Sequence, residues 1–174
     1  TAPGGLAFNT DGTKMFVVGY RGDDVNEYTL STGFDVSTAR FVDSFSVSSQ
    51  EAFPYGLAFN TDGTKMFVVG SSGDDVNEYT LSTGFDVSTA SFVGSFSVSS
   101  QEGDPVGLAF NTDGTKMFVV GTYGDDVNEY TLTSAFRLAN DTGSVGSSLT
   151  GAYGTLTMSS NGSYTYAANS SIVG

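Results

Sequence analysis

The block GLAFNTDGTKMFVVG stands three times in a chain of 174 residues, beginning at Gly5, Gly56 and Gly107. A repeat of period 51 constrains the fold more than any single residue, because each unit must bury its apolar side against a neighbour of the same shape. The segments Gly5 to Tyr55 and Gly56 to Val106 agree at 44 of 51 positions, so a chemically special group has few places to stand.

Local signals within one repeat predict strands. Gly5 to Asn9 is short and apolar, Thr10 to Thr13 contains Asp11-Gly12, and Lys14 to Val18 is rich in strand formers, which together read as a hairpin. Gly12 supplies the positive φ of such a turn and Asp11 bonds back to the local backbone. The same mechanical reading covers Asp62-Gly63 and Asp113-Gly114, since a calcium loop of the EF-hand kind needs several spaced oxygens and a distal Glu. After a turn at Tyr20 to Asp23, the stretch Asp24 to Leu30 alternates as a third strand. A nine-residue connection, Ser31 to Ala39, leads to a fourth, Phe41 to Ser49, with Phe41, Phe45 and Val47 expected on one face. No segment holds a sustained 3.6-residue apolar period. The expected fold is all-β: tandem four-stranded antiparallel blades of a β-propeller.

The stretch PxGLAFNTDGTKMFVVG followed by DDVNEYTL resembles the YVTN, NHL and WD-like propeller blades of bacterial extracellular proteins. The resemblance covers residues 1–132, with blades at about 5–55, 56–106 and 107–132 plus the residues that follow. It implies a propeller and an extracellular or cell-surface setting, and leaves the ligand open, because such blades serve enzymes, binding scaffolds and adhesins alike. Propellers close with about four to eight blades, so three repeats make an incomplete ring. Its two end faces would present Leu, Met, Val and Phe to water, and the isolated chain is expected to self-associate or to meet further blades of the same polypeptide.

From Thr133 the repeat decays: Phe136 still matches Phe85, but Arg137 to Asn140 replaces the expected DVST. Residues 133–147 read as a linker or as the end of the third blade. The text LTGAYGTLTMSSNGSYTYAAN then predicts a hairpin, Ala152 to Met158 and Ser163 to Ala168, joined through Asn161-Gly162. It resembles the opening of VCBS and bacterial cadherin-like modules, which implies that 148–174 is the truncated start of an immunoglobulin-like sandwich from a secreted adhesin; the alternative is that the hairpin supplies strands that finish the third blade. A chain that starts and stops in mid-pattern is expected to be a piece of a longer polypeptide.

Six basic against nineteen acidic side chains give a net charge of -13, which repels nucleic acid and anionic lipid and suits a solvated surface. No run approaches the apolar length of a membrane span, so no membrane insertion is expected. Without Cys or His there is no disulfide framework, no thiol chemistry and no histidine acid or base, and zinc would have carboxylates alone. No cofactor is required.

The differences between repeats gather on one expected rim, formed by the second-to-third loop and the inter-blade loop. Tyr20 and Arg21 become Ser71 and Ser72, then Thr122 and Tyr123, while Phe53 and Tyr55 become Asp104 and Val106. Variation at one edge of a fixed scaffold predicts a ligand-binding rim. The recurring GDDVNEY segment offers Asp23, Asp24, Asp74, Asp75, Asp125 and Asp126 as hard oxygen ligands for calcium. Near-identical copies argue for scaffold over catalysis, so the expected function is a non-enzymatic extracellular repeat for adhesion or surface display, with a cell-surface glycan or protein as partner. One alternative is a lectin-like propeller, in which Tyr20, Phe53, Tyr55 and Tyr123 stack on sugars. The other is a propeller hydrolase.

Overall fold

The computed structural model describes residues 2–138, 148–151, 154–158 and 164–168. The chain divides into two compact units, Thr1–Ala139 and Asn140–Gly174. In the first, the strands are β1 Pro3–Phe8, β2 Lys14–Gly19, β3 Asp24–Leu30 and β4 Ala39–Ser46, then β5 Pro54–Phe59, β6 Lys65–Gly70, β7 Asp75–Leu81 and β8 Ala90–Ser97, then β9 Pro105–Phe110, β10 Lys116–Gly121 and β11 Val127–Thr131. They form antiparallel meanders in chain order, two of four strands and a third of three among the described residues.

The first turn of each blade is built as its residues dictate. Gly12, Gly63 and Gly114 have φ of 72°, 72° and 69°, and a Cβ on any of them would run into the ring of Phe34, Phe85 or Phe136. Glycine is therefore required for both conformation and space. Asp11 Oδ1 accepts from the Thr13 amide at 3.0 Å and its hydroxyl at 2.6 Å, closing the turn. The connection between third and fourth strands contains a single 3-10 turn, Val36–Thr38 and again Val87–Thr89. Asp35 and Asp86 cap these turns, accepting from the amides of Ser37 and Ser88 at 3.1 Å.

One face assignment is corrected. Tyr28 pairs with Phe41 but Glu27 pairs with Asp43, so Val42 is an extra residue and the strand bulges. The bulge turns Phe41 and Phe45 to opposite faces, where unbroken alternation puts them on one.

Blades stack through one recurring interface. Phe16, Val18 and Val25 of the first blade share a buried cluster with Leu57, Met66, Val68 and Tyr79 of the second. One period later, Phe67, Val69 and Val76 share another with Met117 and Val119 of the third. Ring centroids of Phe16 and Phe59 lie 4.5 Å apart, as do those of Phe67 and Phe110. Each such fully buried side chain contributes about 1.5–3 kcal/mol. The middle blade is apolar on both faces for this reason.

The second unit holds β12 Ser148–Gly151, β13 Gly154–Met158 and β14 Tyr164–Ala168, paired antiparallel in that order. Both expected strands are there, with a further strand before them. The Asn161-Gly162 turn lies outside the described residues. No described helix is long and apolar enough to cross a membrane.

Candidate functional site

The loops after β2, β6 and β10 and the connections between blades emerge on one rim, and a buried carboxylate ties each of the latter two loops from beneath to the connection that precedes its blade. After β4, Glu51 donates its amide to Val47 O at 2.8 Å, which turns its side chain inward. Its Oε1 accepts from the amides of Phe53 at 2.7 Å and Ser72 at 3.0 Å, joining the inter-blade connection to the next blade's β6–β7 turn. The carboxylate lies against Gly70, where a Cβ would come within 2.6 Å of Glu51 Cδ, so only glycine permits the approach.

Glu102 repeats this arrangement. It accepts from the amides of Asp104 at 2.9 Å, Tyr123 at 3.0 Å and Gly124 at 3.1 Å. Burial pushes its carboxyl up, but the amides of Asp104, Gly124, Tyr123 and Gly103 outweigh that and hold it below its ordinary value. Glu51 and Glu102 were not among the expected site residues. Their signal was Ser49-Gln50-Glu51 recurring unchanged as Ser100-Gln101-Glu102 just before the most variable positions.

The expected rim residues come together in pairs. Tyr20 and Tyr55 meet with ring centroids 5.6 Å apart. The Ser71 amide donates to Phe53 O at 3.3 Å, and the Ser72 amide is held by Glu51. Thr122 donates its amide to Asp104 O at 3.1 Å and its hydroxyl to Asp104 Oδ2. Arg21 and Tyr123 are exposed, while Val106 is half-buried in β9. The rim is thus asymmetric: the Asp104 carboxylate stands where the preceding connection has Phe53.

Asp23, Asp74 and Asp125 close the second turn of each blade with φ of 50°, 50° and 52°, a left-handed conformation that Asp tolerates. Asp24, Asp75 and Asp126 accept instead from the side-chain amides of Asn26, Asn77 and Asn128, at 3.0, 2.8 and 2.8 Å. Among the described residues no three acidic groups converge on a point that could hold a metal ion.

No family model matches the sequence, and no curated protein matches it. Solved structures do. The periplasmic gluconolactonase PpgL of Pseudomonas aeruginosa aligns over 95% of this chain and 42% of its own, with a TM-score of 0.54 and 18% identity. A luciferin-regenerating enzyme aligns over 70% of this chain and 38% of its own, with a TM-score of 0.50 and 19% identity. The β-propeller domain of Cps50 (Swd1) from Myceliophteria thermophila aligns over 74% and 39%, with a TM-score of 0.53 and 10% identity. The fold is that of β-propeller blades, and the chain spans less than half the length of each of these proteins.

The expectation of a non-enzymatic adhesion or display scaffold is corrected by these neighbours. Two of the three are named as enzymes on the same blade architecture, so sameness of blades is no argument against catalysis. Loops that differ on one rim can carry an asymmetric site on uniform strands.

Proposed function

We propose that these blades form part of a propeller hydrolase that opens a lactone, adding water across the acyl C–O bond to give the hydroxy acid. The observation that supports it best is the Asp104–Thr122 pair, a half-buried carboxylate oriented by a hydroxyl on the varying rim. The gluconolactonase neighbour, which shares the fold, adds the substrate class. A carboxylate is a suitable general base for this reaction, and Asp104 is the acidic side chain that the varying rim presents.

Asp104 would take a proton from water as the oxygen attacks the carbonyl carbon, then return it to the ring oxygen as the acyl C–O bond breaks. Thr122 would act as a positioning residue. A lactone is a reactive ester, so a carboxylate can serve as the base. Tyr123, exposed beside the pair, offers a face for the sugar ring.

The test is proton release from δ-gluconolactone, followed with a pH indicator against a buffer blank. The wild-type chain should exceed the blank, and Asp104→Asn should lower the enzymatic rate by about 100-fold or more, while Phe53→Ser leaves it unchanged. A wild-type rate equal to the blank, or an Asp104→Asn rate equal to wild type, overturns the proposal.

A further inference from the structure

Each interface between blades contains a polar clasp at its edge. Lys14 Nζ lies 2.6 Å from Glu27 Oε1 and donates to Phe85 O, in the next blade, at 2.6 Å. Glu27 Oε2 accepts from the Val87 amide of that same loop at 3.0 Å. One period on, Lys65 and Glu78 pair at 2.7 Å and take Phe136 O at 2.6 Å and the Leu138 amide at 2.7 Å. A lysine and a glutamate on neighbouring strands thus grip one carbonyl and one amide of the segment that follows the next blade's third strand.

The third clasp, Lys116 with Glu129, is formed but grips nothing among the described residues, and its side chains are 44% and 48% exposed. The loop that would answer it is the first blade's own. Phe34 and Val36 occupy the positions of Phe85 and Val87, yet Val36 is 61% exposed where Val87 is fully buried. The apolar faces correspond in the same way. Val120 and Val127 are exposed on the third blade where their equivalents Val69 and Val76 are buried, and Leu6 is exposed on the first where Leu57 is buried. One end of the stack is the knob and the other the socket of an interface that the chain itself builds twice.

We infer that a second copy of this chain docks head to tail on the first, the Lys116–Glu129 clasp of each gripping the Phe34–Val36 loop of the other. Two stacks supply six blades, inside the range of about four to eight at which propellers close, so the contact closes after two copies and does not run on as a fibre. The inference concerns the sides of the blades and is independent of the lactone reading of the rim.

The test uses the full chain at about 0.15 M salt, where repulsion between two acidic copies is screened. Sedimentation equilibrium should give a dimer, twice the 18.1 kDa chain mass. Val36→Pro removes the amide at the first position of a 3-10 turn, where proline is tolerated, and Glu129→Ala removes its acceptor. Each should weaken the dimer by at least about tenfold without changing the circular dichroism spectrum. Val127→Cys mixed with Val17→Cys should give a bismaleimide-linked dimer, because their equivalents Val76 and Val119 lie in one buried cluster; Val127→Cys alone should not. A monomer, an open series of larger species, a dimer indifferent to both substitutions, or cross-linking of Val127→Cys with itself overturns the inference.

Discussion

Alanine at positions 27, 78 and 129 removes the same carboxylate from three copies of one strand at different depths. Glu27 and Glu78 are 2% and 1% exposed, whereas the Glu129 side chain is 48% exposed. At position 27 the substitution leaves the Lys14 ammonium with only the Phe85 carbonyl of its two partners here, and strips the buried Val87 amide of its acceptor. The orphaned amide costs about 1–3 kcal/mol, and breaking a buried pair from one side costs roughly 3–5 kcal/mol in all. Position 78 should behave alike, since Lys65 and the Leu138 amide lose the same group. At position 129 the pair is exposed and worth about 0–1 kcal/mol. For a unit of this size these figures correspond to a fall in Tm of roughly 10 °C or more at 27 and 78, and of a few degrees at most at 129. Urea denaturation followed by circular dichroism, in protein dilute enough to be monomeric, gives all three on one scale. Equal losses at the three positions, or less than about 1 kcal/mol at 27 and 78, would refute the reasoning.

Further outcomes are expected elsewhere in the repeat. Gly63→Ala should lose about 1–2 kcal/mol from its left-handed backbone alone, and more in urea titration because the Phe85 ring must move aside. In protein dilute enough to be monomeric, Phe67→Ala, in the interface between second and third blades, should lose about 3–5 kcal/mol, and Phe118→Ala, its half-buried equivalent, clearly less; equal losses there would show that the third blade's face is covered within one chain. Asp11, Asp62 and Asp113 are held below the ordinary 3.8, first by the hydroxyls of Thr13, Thr64 and Thr115 and then by their amides, against desolvation. A carboxyl depressed in the folded state contributes stability that is complete above 3.8 and is lost as pH falls through the folded value. Asp62→Asn should therefore flatten the fall of Tm below pH 3.8, and an unchanged acid limb would contradict it.

The all-β strands and the DG turns were legible because each rests on local chemistry: a glycine that must turn, an alternation that must face a core. Glu27 was not, since in β3 it reads as a solvated acid beside Asn26 and Tyr28. Only the neighbouring blade turns its face into an interior, and the Lys14 partner lies across the sheet, thirteen residues away. The bulge at Val42 was hidden for a related reason, because an extra residue shows itself in pairing and not in composition. The candidate rim positions stood out as differences between copies, and their pairing did not. Asp104 and Thr122 are eighteen residues apart and meet only because β9 and β10 pair Pro105 with Gly121.

The most direct test of blade-to-blade docking is amide hydrogen exchange at Val87 and Leu138. Both residues sit in connections whose equivalent in the first blade is exposed, and among the described residues their amides are bonded to the carboxylates of the preceding blade, Glu27 and Glu78. Exchange near the limit set by global unfolding is expected at both, with Glu78→Gln weakening protection at Leu138 while leaving Val87 unchanged. Exchange at Val87 and Leu138 as fast as in an open loop would contradict the stacked-blade account.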